Sequence, residues 1–269
     1  PSVVIISQGV NFDGLYYGQL CIKHNIKYII ICHKAVDFYW PPKDERKYMI
    51  DVYKSALKCY FVSNHNQNLT EEQFGFRFKN AKIVRNPMKI KPEPLIYPST
   101  KEGFKLVMIG RLFVIDKGHD ILLRVLAKEK WKKRKLSLSI VGTGPDFKGL
   151  KAMASLLKCE NIEFLGFQEN VKKIWSNHHA LAIPSRSEGL PLVVIEAMAA
   201  GRTVIATYAG GTQELIQDGV TGYIGDATEK GFEDTLEKAW NNRDNWKTMG
   251  LAASKFIKKE IPANPEIDF

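Results

Sequence analysis

Short apolar runs rich in β-branched residues alternate with segments of helical periodicity along nearly the whole chain. Several runs are apolar at both odd and even positions, which is typical of parallel strands covered on both faces of their sheet. The predicted strands span residues 3–7, 27–32, 59–63, 82–86, 104–110, 136–142, 161–166, 180–185, 203–208 and 222–226. The predicted helices include residues 118–134, 145–158, 191–200 and 229–242. This alternation predicts an α/β protein with doubly wound, Rossmann-like sheets.

A proline-rich stretch, residues 87–103, interrupts the alternation. Its four prolines disfavour any regular element and are typical of an interdomain connector. We therefore expect a first domain over residues 1–95, a linker over 96–103, a second domain over 104–254 and a tail over 255–269. The first domain is short for a complete doubly wound domain, and the chain does not begin with Met. We therefore expect a fragment of a longer protein whose first domain is incomplete.

Composition places the chain among soluble globular proteins. Of its 269 residues, 45% are hydrophobic and 25% are charged. The sequence has neither a run of about 20 apolar residues, as a membrane-spanning helix needs, nor a basic secretory leader. The four cysteines show no CxxC pairing, which predicts small buried hydrophobic side chains in a reducing compartment. Together these features favour a cytoplasmic protein.

The formal net charge of +10 is compatible with phosphorylated substrates, anionic lipid or nucleic acid. The densest basic run is KEKWKKRK, residues 128–135, at the end of a predicted helix. Two interpretations of this run remain open: a solvated helix face, or a peripheral contact with an anionic surface such as the inner face of the plasma membrane. Nucleic acid is not expected, because the basic residues lack interleaved aromatics or a recognised binding module.

Two turns at predicted strand ends carry residues suited to a phosphate. In open α/β sheets, ligands bind at the carboxyl ends of strands. Gly110 and Arg111 end one strand and Lys117 precedes the next helix, so that two cations stand where a diphosphate would bind. The turn VGTGPDF, residues 141–147, contains Gly142 and lets backbone approach a ligand, although a plain tight turn has the same composition.

A third turn lies in SRSEGLPLVVIEAMAAG, residues 185–201. Glu188 occupies the turn, and the helix predicted to follow presents the free backbone N–H groups of Leu192 and Val193, which suit an anion. Glu196 lies among apolar residues of that helix, where an ionised carboxylate is costly unless it is hydrogen-bonded. A sugar or ribose diol would supply those bonds. The structural alternatives are that Glu196 caps a neighbouring loop or faces water on an amphipathic helix, and its apolar neighbours Ile195, Ala197 and Met198 disfavour the second.

One residue of the first predicted domain, His33, is also a candidate for a functional role. His33 follows the apolar strand YIIIC and opens a loop at its carboxyl end. A lone histidine is more often structural, so this position alone does not define a site. The glycine-rich stretch at residues 207–226 is interpreted as supporting structure at the same strand ends.

The motifs taken in order resemble the family-4 retaining glycosyltransferases, the glycosyl transferases group 1, of the GT-B fold. GRL…KG, VGTGP, FLGF, PSRSEGLPLVVIEAMAAG and AGGTQELIQDGVTG cover nearly all of residues 104–226, and the two glutamates spaced as Glu188 and Glu196 are a specific mark of the family. The series VVIISQG…KYIIICH…CYFVSNH…IVRNP resembles more weakly the latter half of that family's N-terminal, acceptor-side domain. The resemblance also implies that the tail over 255–269 begins the helix that crosses back to the first domain.

Roles follow from the resemblance position by position. Arg111 and Lys117 would hold the donor's diphosphate, so that no metal or other cofactor is needed. Glu196 would bind the ribose hydroxyls, and Glu188 would contact the transferred sugar. His33 would reach the sugar or phosphate near the reacting carbon. The remaining donor-binding positions would be Gly110, Gly142, Gly166, Phe167, Gly189, Leu190, Leu192 and Val193.

The implied reaction moves a sugar from a nucleoside-diphosphate sugar to a hydroxyl of a glycan or lipid-linked acceptor, with retention of anomeric configuration. Cell-surface polysaccharide or glycolipid synthesis is the setting that the family suggests. Three alternatives stay open: a GT-B sugar-nucleotide epimerase, a donor-binding but inactive fragment, and a glycoside hydrolase using two carboxylates. The mechanism of a glycoside hydrolase does not require the two cations Arg111 and Lys117, which argues against this alternative.

Overall fold

The structure is a computed structural model that describes residues 2–87 and 93–261. Contacts between residues divide it into two compact units, which are described separately. The first unit comprises residues 2–87 together with Ser187–Leu190, and the second comprises residues 93–186 and 191–261. The continuous part of the first unit ends at Pro87, and Ser187–Leu190 join it from later in the chain, whereas the sequence predicts a first domain that ends at residue 95. Part of the predicted connector, residues 88–92, and the end of the predicted tail, residues 262–269, lie outside the described residues.

The first unit is a parallel sheet with intervening helices. Its elements are β1 (Val4–Gln8), α1 (Leu15–Lys23), β2 (Tyr28–Cys32), α2 (Arg46–Ser55), β3 (Lys58–Phe61), α3 (Asn64–Phe74) and β4 (Ala81–Ile83). The described strands pair in the order β1-β2-β3-β4, so chain order and spatial order agree. Ile30, Cys59 and Phe61 are fully buried in its core, as expected of strands with helices packed on their faces.

The second unit follows the same principle with a larger sheet. Its strands are β5 (Phe104–Ile109), β6 (Leu136–Val141), β7 (Ile162–Gly166), β8 (Ala180–Ile183), β9 (Thr203–Thr207) and β10 (Gly222–Gly225). Its helices are α4 (Val114–Lys117), α5 (His119–Leu126), α6 (Glu129–Lys132), α7 (Phe147–Leu156), α8 (Val171–Asn177), α9 (Leu192–Ala199), α10 (Glu229–Asn241) and α11 (Trp246–Glu260). Among the described residues the strand order is β10-β9-β8-β5-β6-β7, all parallel.

Each predicted strand is present within one to three residues of its predicted ends. The predicted helix over 118–134 is wrong in one respect, because it is two helices, α5 and α6. The backbone of Lys128 between them is extended, with ψ 141°. This break lets Trp131 point into the core, where it is fully buried, instead of following the polar face of a continuous helix.

The four cysteines, Cys21, Cys32, Cys59 and Cys159, are all buried and free. This agrees with the prediction that they act as small hydrophobic side chains. No helix in the two described ranges combines the length and the apolar character that a bilayer crossing requires.

A buried arginine connects the segment before β5 to the rest of the second unit. Arg202 is 1% exposed, and its guanidinium donates to the carbonyls of Trp175 at 2.7 Å and Ile96 at 2.8 Å. Burial lowers the pKa of Arg202. A charged group without carbonyl partners would be costly in this position. Arg202 therefore holds residues 95–97, part of the predicted linker, against the second unit.

The basic run at residues 128–135 is paired with α10. Lys128 Nζ lies 2.6 Å from Glu233 Oε2 and Lys130 Nζ lies 2.8 Å from Glu233 Oε1. Arg134 donates two bonds to Glu237, at 2.6 and 3.0 Å. Three cations of the run are therefore engaged within the protein. This supports a solvated, ion-paired face and gives no support to a membrane contact there.

Glu233 supplies a pH-dependent part of the stability. Burial by itself raises the pKa of Glu233, but hydrogen bonds from Lys128 and Lys130 outweigh it and lower the pKa from 4.5 to about 2. A carboxylate with a depressed folded-state pKa contributes stability that is present above the unfolded pKa and is lost as the pH falls through the folded pKa. The window is therefore from about pH 4.5 down to about pH 2.

Replacing Glu233 with Gln is expected to lower the free energy of unfolding at pH 7 by about 1–2 kcal/mol, since the lysines lose their charged partner. Urea denaturation at several pH values between 7 and 3 measures the difference from the wild type, which should shrink below about pH 4.5. Glu102→Gln is the control, because that side chain is 87% exposed and lies 3.9 Å from Lys105. A difference that does not change with pH would contradict the assignment.

Candidate functional site

The predicted turns of the second unit meet at one edge of its sheet. Strands β5 and β8 are neighbours, and the chain leaves them in opposite directions, toward β6 on one side and β9 on the other. Ligands in open parallel sheets bind outside the carboxyl ends of the strands at such a switch point. Gly110 and Arg111 follow β5, Gly142 follows β6, and Ser185 comes shortly after β8. The topology thus selects this edge as the candidate site.

The turns after β5 and β6 are joined by hydrogen bonds. The Leu112 N–H donates to the Thr143 carbonyl at 2.9 Å, and the Asp146 N–H donates back to the Leu112 carbonyl at 3.1 Å. The Val114 N–H, at the start of α4, donates to Asp146 Oδ2 at 2.7 Å. The two loops therefore form one rigid piece before any ligand binds.

Glycine is required where these turns touch. Gly142 has φ +136°, and a Cβ placed on it would lie 1.9 Å from the carbonyl oxygen of Gly110. A Cβ on Gly144 would lie 2.3 Å from the carbonyl oxygen of Leu112. No side chain fits at either distance. The sequence predicts that this glycine-containing turn lets backbone approach a ligand. In the structure, Gly142 and Gly144 also let the turns after β5 and β6 approach each other.

A cavity of about 480 Å³ opens at this edge. It is lined by Ile109, Gly110, Arg111, Val141, Gly142, Thr143, Gly144, Phe167, Gln168 and Val171. The structure thus brings together four of the predicted donor-binding residues, Gly110, Arg111, Gly142 and Phe167. The volume lies within the range of about 300–1,000 Å³ that is usual for small-molecule pockets.

Phe167 forms the outer part of the cavity. Its side chain is 69% exposed, which is unusual for a phenylalanine and leaves the ring face available for stacking. Gly166 precedes it with φ +66° and turns the chain out of β7, but is not part of the lining. Gly166 thus acts on the cavity through Phe167.

Six lining residues were not among the predicted site residues: Ile109, Val141, Thr143, Gly144, Gln168 and Val171. Gln168 and Val171 belong to the loop and helix after Phe167, and Thr143 lies between the two glycines of its turn. Gln168 donates from its side-chain amide to the Leu165 carbonyl at 2.8 Å, which fixes the orientation of the amide. The side chains of Gln168, Val171 and Thr143 are uncharged and common in loops and helices. Only their position next to predicted residues indicates that they line the cavity.

The two predicted cations lie near the same turn. Arg111 is exposed, and its guanidinium lies over the Phe113 ring at 4.6 Å from the centroid, a cation–π contact. Lys117 ends α4, and its Cε would lie 3.7 Å from a Cβ placed on Gly110. The Lys117 side chain therefore runs along Gly110 at the cavity edge. Gly118, with φ +66°, separates α4 from α5.

A further cation near this turn, Arg186, is ion-paired within the protein. Its guanidinium makes a bidentate pair with Asp120 of α5, with both bonds at 2.8 Å. Its Nη1 also donates to the Val114 carbonyl at 2.9 Å. Burial raises the pKa of Asp120, but the bonds from Arg186 and Arg124 outweigh it and lower the pKa. Arg186 thus holds the end of β8 against α4 and α5, next to Lys117.

His119 begins α5 and is fully buried. Neither ring nitrogen finds a hydrogen-bond partner within residues 2–87 and 93–261. Burial first, and then the charge of Lys117, lower the pKa of His119 to about 4. The ring is therefore neutral at pH 7 and adds no charge to the site.

Helix α9 presents three predicted residues on one face. Leu192, Val193 and Glu196 are half-buried, whereas Ile195 and Ala197 are fully buried. Residues three and four apart lie next to each other on a helix, so Glu196 lies one turn beyond Leu192 and Val193 on the same side. Glu196 is therefore on the partly open face of α9 and not in the core. Its role toward a ligand remains a prediction.

The other predicted residues belong to the first unit. A Cβ on Gly189 would lie 1.9 Å from the carbonyl oxygen of His33, so only glycine fits there. The Leu190 carbonyl accepts a bond from the Asn86 side chain at 3.3 Å, and Glu188 is 6% exposed. The predicted residues therefore form two groups, one in each unit, and their common role in one reaction remains a prediction.

His33 itself is positioned by strand β1. Its Nε2 lies 3.2 Å from the Ser7 hydroxyl oxygen. The residue is exposed to solvent, and the partial desolvation that remains lowers the pKa of His33. The histidine is thus predominantly neutral at pH 7, with a hydroxyl beside one nitrogen.

A larger cavity of about 710 Å³ lies away from the strand tips, between α8 and the strands β6 and β7. It contains a hydrogen-bonded chain: Ser139 Oγ donates to Glu163 at 2.7 Å, and His178 Nε2 lies 2.8 Å from Ser139 Oγ. The His178 Nδ1 in turn is 2.7 Å from the Ile174 carbonyl. A hydroxyl has one proton, so Ser139 can donate to Glu163 or to His178 but not to both at once. The smaller cavity is the better candidate, because it alone joins the predicted residues at the carboxyl edge.

Within the two described ranges, no group of three or more His, Cys, Asp or Glu side chains is arranged to hold a metal ion. Metal independence therefore remains an expectation that the reaction itself must test.

Replacing Gly142 with Ala tests the contact between the turns. The new methyl group would collide with the Gly110 carbonyl at 1.9 Å. We expect the free energy of unfolding to fall by about 2 kcal/mol or more, from backbone strain and overpacking together. The midpoint of urea denaturation measures this.

Gly149→Ala is the matched control. Gly149 lies in α7 with no atom within 4 Å of an added Cβ. Alanine is about 1 kcal/mol better than glycine in a helix, so this variant should be neutral or more stable. Equal midpoints for the two variants would show that the turns do not depend on their close contact.

Known proteins similar to this chain are glycosyltransferases. The family model described as Glycosyl transferases group 1 matches residues 93–256. An uncharacterized glycosyltransferase of Methanocaldococcus jannaschii is 30% identical over 268 residues, 95% of this chain and 73% of that protein. The O-antigen biosynthesis glycosyltransferase WbnH of Escherichia coli is 32% identical over 212 residues, 78% of this chain. The match spans 59% of the length of WbnH, and equally 59% of an uncharacterized glycosyltransferase of Haemophilus influenzae.

Solved structures agree with the predicted fold class. HepE of Anabaena, in complex with UDP and glucose, has a TM-score of 0.80 at 20% identity, and the match covers 98% of this chain and 76% of HepE. The lipopolysaccharide outer core galactosyltransferase WaaB has a TM-score of 0.71 at 20% identity, covering 100% of this chain and 75% of WaaB. At such identities the likeness concerns the fold alone, and it confirms the predicted GT-B class of α/β proteins.

Proposed function

Since the chain belongs to the glycosyl transferases group 1 family, we propose that it transfers a sugar from a nucleoside-diphosphate sugar to an acceptor hydroxyl, with retention of anomeric configuration. The observation that carries the proposal is the cavity at the carboxyl edge of the second sheet, where Gly110, Arg111, Gly142 and Phe167 meet. A nucleotide needs a flat apolar surface for its base and cations for its phosphates. This cavity offers both.

The cations act on the diphosphate. Arg111 can donate two parallel hydrogen bonds to phosphate oxygens, and Lys117 adds a compact charge beside Gly110. The exposed ring of Phe167 lies along the base. Preorganised positive charge at the point where negative charge develops is commonly the largest catalytic contribution. In this proposal the two side chains carry that neutralisation and no metal ion is required.

The glutamates recognise hydroxyl groups. Glu196 accepts hydrogen bonds from the ribose diol, next to the N-terminal N–H groups of Leu192 and Val193 on the same face of α9. Glu188, with Gly189 and Leu190, contacts the transferred sugar. A carboxylate that is partly removed from water binds hydroxyls strongly because these hydrogen bonds are charge-assisted.

The reaction then balances as follows. The bond between the anomeric carbon and the phosphate oxygen breaks, and its electron pair remains on the nucleoside diphosphate. The acceptor oxygen forms its bond to the same carbon from the same face, and the acceptor's proton passes to the departing phosphate. The role proposed for neutral His33 is a hydrogen bond with the transferred sugar.

The acceptor is proposed to be a glycan or lipid-linked glycan in cell-surface polysaccharide synthesis, in the cytoplasm. The support for this setting is the similarity to an O-antigen biosynthesis enzyme. The identity of the nucleotide is a separate question. UDP is the first candidate, because HepE binds UDP in a structure of the same fold.

The decisive experiment is a thermal-shift screen with UDP-, GDP- and ADP-sugars. A ligand that binds only the folded state at 100 times its Kd stabilises it by about 2.7 kcal/mol, which is measurable. Product analysis with the ligand that stabilises then separates the remaining functions. Transfer to an added glycan supports the proposal. Isomerisation of the donor without acceptor identifies an epimerase, binding without turnover identifies an inactive donor-binding chain, and hydrolysis of plain glycosides without nucleotide binding overturns the proposal.

Lys117→Ala is expected to lower turnover about 100- to 1,000-fold, the usual effect of removing one preorganised group that stabilises developing charge. Donor binding should weaken less than turnover, because the charge on the phosphate grows in the transition state. Steady-state kinetics with the stabilising donor separates kcat from KM. Lys247→Ala is the control, because Lys247 is an exposed residue of α11 outside the cavity. Unchanged kcat in Lys117→Ala would refute the assigned role.

Glu196→Gln is expected to affect donor binding more than turnover, unlike Lys117→Ala. Donor affinity should fall about 10-fold, and kcat should change less. The reason is that a charge-assisted hydrogen bond contributes about 1.5–3 kcal/mol and an amide retains part of it. The shift of the melting temperature with donor concentration gives the affinity. A variant that binds the donor like the wild type would leave capping of a neighbouring loop as the role of Glu196.

A further inference from the structure

Helix α4, which ends in Lys117, has little support of its own. It is a single turn, closed by bonds from the Lys117 N–H to the Phe113 carbonyl and from the Gly118 N–H to the Val114 carbonyl, both at 2.9 Å. None of its four residues is buried, although Val114 packs in part against the core. An isolated turn of this length is not stable in water. Contacts from elsewhere in the second unit must therefore hold it.

The chain that leaves β8 supplies these contacts. The Arg186 N–H donates to the Asp116 carbonyl at 2.7 Å, and Arg186 Nη1 donates to the Val114 carbonyl at 2.9 Å. A Cβ on Gly118 would lie 2.0 Å from the Pro184 carbonyl oxygen, so the end of α4 passes the end of β8 as bare backbone. Contacts with residues 184–186 thus reach both ends of α4.

Asp120 fixes the orientation of the Arg186 side chain. The guanidinium makes two bonds of 2.8 Å with the Asp120 carboxylate, which lies in the first turn of α5 and is 8% exposed. This bidentate geometry aims the remaining Nη1 N–H at the Val114 carbonyl. A lysine ammonium is a point charge and does not reproduce the planar fork. We call Arg186 and Asp120 the arginine clamp.

Lys117 is the residue of α4 whose placement affects the candidate site. It stands between Asp116 and Gly118, both of which contact residues 184–186, and its side chain runs along Gly110 at the cavity edge. The lysine stem is flexible, so the position of its ammonium depends on where the helix places the backbone. A displacement of about 1 Å can cost about 100-fold in rate.

We propose that Arg186 is a positioning residue that acts on the sugar-transfer step through Lys117: the arginine clamp holds α4 so that Lys117 Nζ meets the diphosphate where its negative charge grows. The guanidinium of Arg186 is engaged by Asp120 and the Val114 carbonyl, so this role needs no contact between Arg186 and the donor. The effect on transfer rests on the proposed function, whereas the support of α4 does not.

Arg124 provides the matched control. It donates to the same Asp120 carboxylate at 2.7 Å, but it lies in the last turn of α5 and its side chain is 48% exposed. Arg124→Met therefore removes a partner of Asp120 and leaves the bonds from Arg186 to α4 in place. If the carboxylate served only general stability, loss of either arginine would have the same effect.

Hydrogen exchange measured by NMR tests the clamp without any ligand. In Arg186→Lys the amides of Lys117 and Gly118 should exchange at least 5-fold faster than in the wild type, and in Arg124→Met at the wild-type rate. Asp120→Asn should behave like Arg186→Lys and keeps the test valid if that variant does not fold. The amides of α7 should be unchanged in all variants. Wild-type exchange of Lys117 and Gly118 in Arg186→Lys or Asp120→Asn overturns the inference.

Kinetics tests the action through Lys117. Arg186→Lys should lower kcat at least 10-fold and change KM for the stabilising nucleotide sugar less than 3-fold, whereas Arg124→Met should keep kcat within 2-fold. In the Lys117→Ala background, Arg186→Lys should lower kcat by less than a further 2-fold, because groups that act as one unit are not additive. Loss of the same factor in both backgrounds would show a structural role that bypasses Lys117 and would overturn the inference.

The two measurements separate this inference from the proposed function. A wild type that no nucleotide sugar stabilises overturns the proposed function, and hydrogen exchange still decides whether the clamp holds α4. A wild type that transfers sugar, together with unchanged kcat in Arg186→Lys, overturns the inference alone.

Discussion

The contact between Gly142 and the Gly110 carbonyl is the constraint on which the candidate site depends. A Cβ at this point would lie 1.9 Å from the oxygen, so the turn after β6 can approach the turn after β5 only as bare backbone. That approach permits the bonds between Leu112, Thr143 and Asp146. The cavity wall is therefore backbone held by backbone, and little conformational entropy remains to be lost when a ligand binds.

In the first unit, the loops after two neighbouring strands are also held together, but by hydrogen bonds of side chains. Its loops after β1 and β2 are joined through the side chains of Asn11 and Gln73. Asn11 and Gln73 are both buried at 1% exposure or less, and together they fix the loop carbonyls of Val36 and Tyr39. One atom of the network is not satisfied, because Asn11 Oδ1 is buried and finds no hydrogen-bond partner within the described residues, which is costly. The bonds to the Val36 and Tyr39 carbonyls hold the loop that carries Phe38, Tyr39 and Trp40.

Sequence reasoning predicted the strands well because a covered parallel strand is apolar on both sides, and that signal is local. The helix predicted over 118–134 was split in two because burial of Trp131 is a tertiary gain that no local pattern shows. Predicted residues that are glycine, arginine or aromatic at a strand end were brought together in the cavity, since their spacing follows from topology. Gln168 was missed because a single neutral amide after a strand has no distinctive pattern. Arg186 was visible in the motif, but its pairing with Asp120 depends on a contact 66 residues away.

The positions of the basic residues say more about a binding site than the net charge does, because many of these residues are ion-paired within the protein. The basic run at residues 128–135 is the densest in the sequence, yet Lys128, Lys130 and Arg134 are paired with Glu233 and Glu237. Arg186, at the end of β8, is paired with Asp120 in the same way. By contrast, Arg111 is exposed at the cavity, and its guanidinium lies over the ring of Phe113. Net charge therefore does not identify a phosphate site, because the fold determines which cations are paired with carboxylates.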